Sequence, residues 1–132
     1  MIAKDPYKNY QQNAIMCAGP EELTTMLYNR LVKDLKLAQA HTAQKEIQLS
    51  HNCITHAQDI LNHLINTLDT SIEVGQNLEQ MYDYMNRRLV EGNLKKDVEI
   101  LQEVAGFAEE IRDTWVQAIK QAKLGASDAS NG

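Results

Sequence analysis

Proline stands at two positions in this chain of 132 residues, Pro6 and Pro20, so nothing after position 20 breaks a helix outright. Glycine supplies the remaining punctuation at Gly75, Gly92 and Gly125, and only Gly106 sits inside a periodic stretch. Breaks this sparse favour long helices joined by short connections. The first helix is expected to begin at Gly19-Pro20, because proline suits a first turn and Glu21 and Glu22 complement the positive end of the helix dipole. Leu23, Leu27, Leu31, Leu35 and Ala38 then recur at steps of three and four. The second helix has the cleanest pattern: Ile47, Ser50, Ile54, Ala57, Leu61, Leu64 and Leu68 form a heptad seam with one polar lapse at Ser50. Thr70 to Glu73 fits a capping box for the third helix, although a loop is equally compatible there. That helix carries Val74, Leu78, Met81, Met85 and Leu89 and is expected to end at Gly92. Asn93 is a cap for the fourth, which carries Val98, Leu101, Val104, Ala108, Ile111, Trp115 and Ala118.

Helices of roughly 20 residues are about 30 Å long, and short connections force neighbours to run antiparallel. The expected fold is all-α: an antiparallel four-helix bundle over residues 19–124, with an N-terminal arm or short helix over 1–18 packing on it and a small, polar, disordered tail over 125–132. At this length one domain is the natural reading, and folding buries roughly two thirds of the unfolded surface, enough for one core without staples.

Charge and cysteine usage exclude several classes. There are 18 acidic and 13 basic side chains, for a net charge of −5. The largest basic grouping, Arg87-Arg88 with Lys95-Lys96, is surrounded by acidic residues, so neither nucleic acid nor a membrane surface is an expected partner. The start of the chain has no apolar h-region, and no run approaches transmembrane length, so neither a leader nor membrane insertion is expected. Cys17 and Cys53 fit no metal or redox spacing and read as free thiols of a reducing cytoplasm.

No chemistry-bearing constellation emerges, so no enzyme and no cofactor are expected. The di-iron bundle pattern needs Glu-x-x-His, which is absent. His56, Asp59 and His63 share one helical face, but it lies opposite the Ile54, Ala57 and Leu61 seam and reads as a solvated polar face rather than a metal site. A histidine phosphotransfer bundle is the alternative function. Those domains usually show a lysine a few residues after the histidine, often followed by glycine; here His56 is followed by Ala57-Gln58-Asp59-Ile60. The serines lack a glycine-bracketed elbow, and no glycine-rich phosphate loop is present.

The aromatic and thioether side chains carry the positive signal. One group joins Tyr7 and Tyr10 to Leu23, Met26, Leu27 and Tyr28, and the other is Met81-Tyr82-Asp83-Tyr84-Met85. Together they hold all five tyrosines and three of the five methionines, beside one Phe and one Trp in the whole chain. Tyr and Met form surfaces that are apolar, adaptable and tolerant of water at the edge, which suits a partner segment better than a reaction. Partner binding is accordingly assigned to Tyr7, Tyr10, Leu23, Met26, Leu27, Tyr28, Met81, Tyr82 and Met85. Ordinary helix core is the competing reading for each, and which of Tyr28, Tyr82 and Tyr84 face inward stays open.

Ordered along the chain, these stretches closely resemble the flagellin-specific export chaperone family, FliS. The matching series is Tyr7-Lys-Asn-Tyr10-Gln-Gln-Asn-Ala14, Pro20-Glu21-Glu22-Leu23, Met26-Leu27-Tyr28, Ala57-Gln58-Asp59-Ile60-Leu61, Leu68-Asp69 and Leu78-Glu79-Gln80-Met81-Tyr82-Asp83-Tyr84-Met85. Leu89, Asn93, Asp97, Glu103-Val104 and Trp115 follow. The likeness runs from residue 5 to about residue 120. Position 19 is Gly where the family often has a capping residue, and Asn29-Arg30 stands where an acidic and a small residue are usual. The resemblance implies a cytoplasmic bundle that binds the disordered C-terminal segment of flagellin, prevents its premature polymerisation and contacts the flagellar type III export apparatus. It also implies that the arm lies over part of the binding groove in the free chaperone; a homodimer of the free protein through the same groove is left open.

Overall fold

Proline opens the first helix as the spacing predicts. In the computed structural model, which describes residues 20–131 and the side chains of 21–125, helix α1 spans Pro20–Ala43, with Glu21 and Glu22 in its first turn. Helix α2 spans Ile47–Asn66, α3 spans Glu73–Lys95 and α4 spans Val98–Asn131. The expected arm, residues 1–18, lies outside the described residues. No helix among them is long and apolar enough to cross a membrane.

Side-chain pairs fix the direction of each helix against its neighbours. Thr42 and Asp34 of α1 meet Ser50 and His56 of α2, in reverse order along the chain. Asn62 and His51 of α2 meet Asn86 and Asn93 of α3 in the same reversed sense. Thr25 and Lys36 of α1 meet Trp115 and Glu109 of α4. Each helix therefore runs antiparallel to the neighbours it packs on: α1 lies beside α2 and α4, and α3 completes the square against the same two helices. The core between them is built from Leu31, Leu35, Ile54, Leu61, Met85, Leu89, Leu101 and Val104, all fully buried.

The polar lapse in the α2 seam has a physical reason. Ser50 is fully buried, and its hydroxyl lies 2.6 Å from that of Thr42, which is also buried. Each satisfies the other, and a buried hydroxyl left alone would cost roughly 1–3 kcal/mol. Ile47, assigned to the same seam, is half-exposed in the first turn of α2.

The boundaries at Gly92 and Asn93 are corrected, and the open choice at Thr70 falls to the loop. Thr70 does not cap α3: Ile72 precedes the helix in extended conformation with no side-chain cap, and the loop is held instead by Asp69, which accepts from the Ser71 N–H and hydroxyl. Gly92 does not end α3. It is buried inside the helix, where an added Cβ would stand 3.0 Å from Ile100 and 3.2 Å from Leu101, so the glycine allows α3 and α4 to approach closely. The helix ends at Lys96, which adopts a left-handed φ of 50°. Asn93 is therefore helical, and the cap of α4 is Asp97, whose carboxylate accepts the Glu99 N–H at 2.9 Å. At the far end, α4 continues through Asn131, past Gly125, where the sequence pattern placed the start of a disordered tail.

Two glycines give opposite expectations. A Cβ on Gly75 would fall 1.9 Å from the Asp69 carbonyl oxygen, whereas one on Gly106 meets nothing within 4 Å. Gly75→Ala should lower unfolding stability by about 1–3 kcal/mol by displacing the loop before α3. Gly106→Ala should raise it by about 0.5–1 kcal/mol. Urea denaturation of the two variants beside the parent checks both signs.

Candidate functional site: a cleft along the first helix

The rotation of α1 decides what it offers to solvent. Tyr28, Leu31, Val32 and Leu35 point into the core. Leu23, Met26, Leu27 and Arg30, at steps of three, one and three, then lie along the side nearest α2. With Asn29, Lys33 and, from α2, His56 and Ile60, they line an open cleft of about 470 Å³. A second groove of about 320 Å³ flanks the same part of α1 on its α4 side, lined by Thr25, Met26, Val116 and Ile119 among others. Met26 is the ridge between the two.

The structure divides the sequence-assigned partner residues. Leu23, Met26 and Leu27 meet in the cleft. Met81 is half-buried on α3 and packs against the core. Tyr28, Tyr82 and Met85 are corrected: they are core, exposed to 4%, 1% and 0%, and present no surface to a partner. The reason is a meeting across the bundle, where the Tyr28 and Tyr82 hydroxyls hydrogen-bond to each other. Tyr28 also packs edge-on against Trp115, at 6.1 Å between ring centres, and the Trp115 indole N–H donates to Thr25 at 2.8 Å. Tyr84 packs edge-on against Phe107 and donates to Glu103 at 3.3 Å. Tyr7 and Tyr10 lie outside the described residues.

Sequence reasoning missed the polar edge of the cleft. Asp34 is buried and held twice, by an ion pair with Arg30 Nε at 3.2 Å and by a hydrogen bond with His56 Nδ1. His56 was grouped with Asp59 and His63 on a solvated face. All three are exposed as that reading expects, and His56 in addition bonds Asp34 of α1 and borders the cleft. The available signal was Asp34 itself, an acid at a position that the Leu31, Leu35 and Ala38 spacing places near the core. Cys53, half-buried near this edge, has its thiol pushed up by burial and by the Asp34 charge. The described residues hold no group of three His, Cys, Asp or Glu placed to share a metal ion.

The fold is an all-α antiparallel four-helix bundle, and comparison gives its family. The family model described as flagellar protein FliS matches residues 3–122, and this chain belongs to that family. The flagellar secretion chaperone FliS of Bacillus subtilis is 40% identical over 123 residues, covering 93% of this chain and 92% of the relative. Its counterpart in Salmonella typhimurium is 31% identical over 116 residues, with 86% of each chain covered. A crystal structure of a bacterial flagellar chaperone superposes with a TM-score of 0.72 at 17% identity, covering 87% of this chain and 95% of that one, which shows the shared fold. The family is one of secretion chaperones, not of enzymes.

The tyrosine pair gives a prediction with a sign. Burial raises both phenols above their ordinary value of 10.0, and Tyr82 further than Tyr28. A phenol whose folded pKa lies above its unfolded one contributes stability that is whole below about pH 10 and falls as the pH climbs past that value. Unfolding stability should therefore drop between about pH 9.5 and 11, and less steeply in Tyr82→Phe. At neutral pH Tyr82→Phe should cost about 1–3 kcal/mol by stranding the Tyr28 hydroxyl, while the Tyr28→Phe, Tyr82→Phe double variant should recover most of it. A denaturation cycle over the four proteins measures the coupling.

Proposed function

We propose that this chain is a cytoplasmic export chaperone that binds the disordered C-terminal segment of flagellin, keeps it from polymerising early and delivers it to the flagellar type III export apparatus. Membership of the secretion-chaperone family supports the class of function. One structural observation carries the reading to a site: Leu23, Met26 and Leu27 form an apolar track on the outer side of α1, beside Ile60 at the edge of the core. A disordered client loses conformational entropy when it binds, so it needs continuous apolar contact to compensate. An amphipathic client helix laid in this cleft supplies that contact in helix-in-groove fashion. Tyr7 and Tyr10, on the arm, are proposed to cover the same track in the free protein and to leave it when client binds. The phosphotransfer alternative is not favoured, because the chain belongs to a family of secretion chaperones.

Titration calorimetry with the isolated C-terminal segment of flagellin tests the reading. Binding should show a negative heat-capacity change across several temperatures, and circular dichroism of the mixture should exceed the sum of the components in helicity. Met26→Asp should weaken binding about tenfold or more with the thermal midpoint little changed. Equal binding to a flagellin that lacks the segment, or no heat with the segment, would refute it.

A further inference from the structure

The cleft has a polar side whose charge runs against that of the whole chain. The protein carries a net charge of −5, yet the polar residues at the cleft are Asn29, Arg30, Lys33 and His56, and none is a carboxylate. The one acid beside them, Asp34, has a side chain only 5% exposed, with one oxygen held by Arg30 and the other by His56. It acts as an internal anion that positions two cleft residues, rather than as a charge shown to a partner. Arg30 is 56% exposed and commits Nε to Asp34, which leaves its terminal nitrogens to solvent. Lys33, three residues on and therefore on the same side of α1, has no ion-pair partner among the described residues. Lys36, a further three residues along, is matched by Glu109 of α4 at 3.3 Å. Along α1 the cleft thus passes from Leu23, Met26 and Leu27 to a cationic end, where Arg30 is paired with Asp34 and Lys33 is the unmatched charge.

We propose that this cationic end selects the register of the client: the occupant is an amphipathic helical segment whose apolar anchors lie on Leu23, Met26 and Leu27 and whose Asp or Glu reaches Arg30 and Lys33. The inference rests on the function proposed above and deepens it. An apolar track alone tolerates sliding, because a helix moved by one turn, about 5.4 Å, presents similar side chains to it. A charge at one end removes that degeneracy: only one register pairs the acid with the cations, and others leave it over Leu and Met.

The experiment is a charge-swap titration with the full chain and the synthetic C-terminal segment of flagellin. Lys33→Glu should weaken binding about three- to tenfold at low ionic strength and flatten its salt dependence. A segment with one acidic residue changed to Lys should lose affinity for the parent chain and regain it with Lys33→Glu. A photo-crosslinker in place of Lys33, with client in excess, should link to the segment within one turn of that acidic residue. Unchanged affinity of Lys33→Glu, with parent binding intact, would overturn the register proposal and leave the function standing. So would crosslinks to residues 1–19 or to a second copy of the chain. Failure of the parent chain to bind the segment at all would remove both.

Discussion

The hydroxyl pair of Tyr28 and Tyr82 sits at the centre of the bundle and sets the arrangement around it. The two residues come from α1 and α3, which stand diagonally opposite, so their rings span the core rather than one helix–helix seam. Each ring buries a large apolar area, and each hydroxyl has the other as its hydrogen-bond partner. That requirement fixes the rotation of α1. With position 28 inward, positions 31, 32 and 35 follow it into the core, and positions 23, 26, 27 and 30 turn toward α2. Trp115 then packs on Tyr28 and bonds Thr25, which holds α4 against the same stretch of α1. The cleft is a consequence of the core: its wall is the part of α1 that the tyrosine pair turns outward.

The same rule of mutual satisfaction operates at two other buried polar points along α1. Thr42 meets Ser50 near the α1–α2 turn, and Asp34 meets Arg30 and His56 midway. Apolar packing alone would permit α2 to shift along α1 by a turn at modest cost. The Thr42–Ser50 and Asp34–His56 pairs would both be broken by such a shift, and each broken buried partner costs about 1–3 kcal/mol, more where a charge is stranded. They therefore act as register marks for the helix pair that lines the cleft.

The bundle was legible because helix breakers are rare and apolar periodicity is strong; all four helices lie where the Leu, Ile and Val spacing puts them. Their ends were less so. Gly92 reads as a stop in sequence, but its lack of a side chain serves the close approach of α3 to Ile100 and Leu101, and only the packed structure distinguishes these uses. Thr70-Ser-Ile-Glu73 fits a capping box by spacing, yet Asp69 gathers the local donors first. At the site, Leu23, Met26 and Leu27 were found by composition and position. Tyr28, Tyr82 and Met85 share that composition and are core, because periodicity gives neighbours on one helix and not which helix stands opposite. Asp34 with His56 was invisible for the same reason: the partners are 22 residues apart and meet only once α2 folds back.

Placing the tyrosines inside changes the physical account of how such a surface would hold a client. Had Tyr28 and Tyr82 been the groove, binding would compete with the core for the same rings, and the free protein would be a looser bundle. Instead the core closes on itself, and the cleft is walled by Leu23 and Met26, which stand outside the core cluster, and by Leu27, which packs on its edge. On the proposed reading, the ordering entropy then falls almost wholly on the client, since the platform is already formed. Flexible Met26, standing between two grooves, can adapt its side chain to segments on either side without moving the backbone. On the same proposed reading, a rigid core with an adaptable outer ridge suits holding a disordered client firmly enough to shield it while still releasing it unchanged.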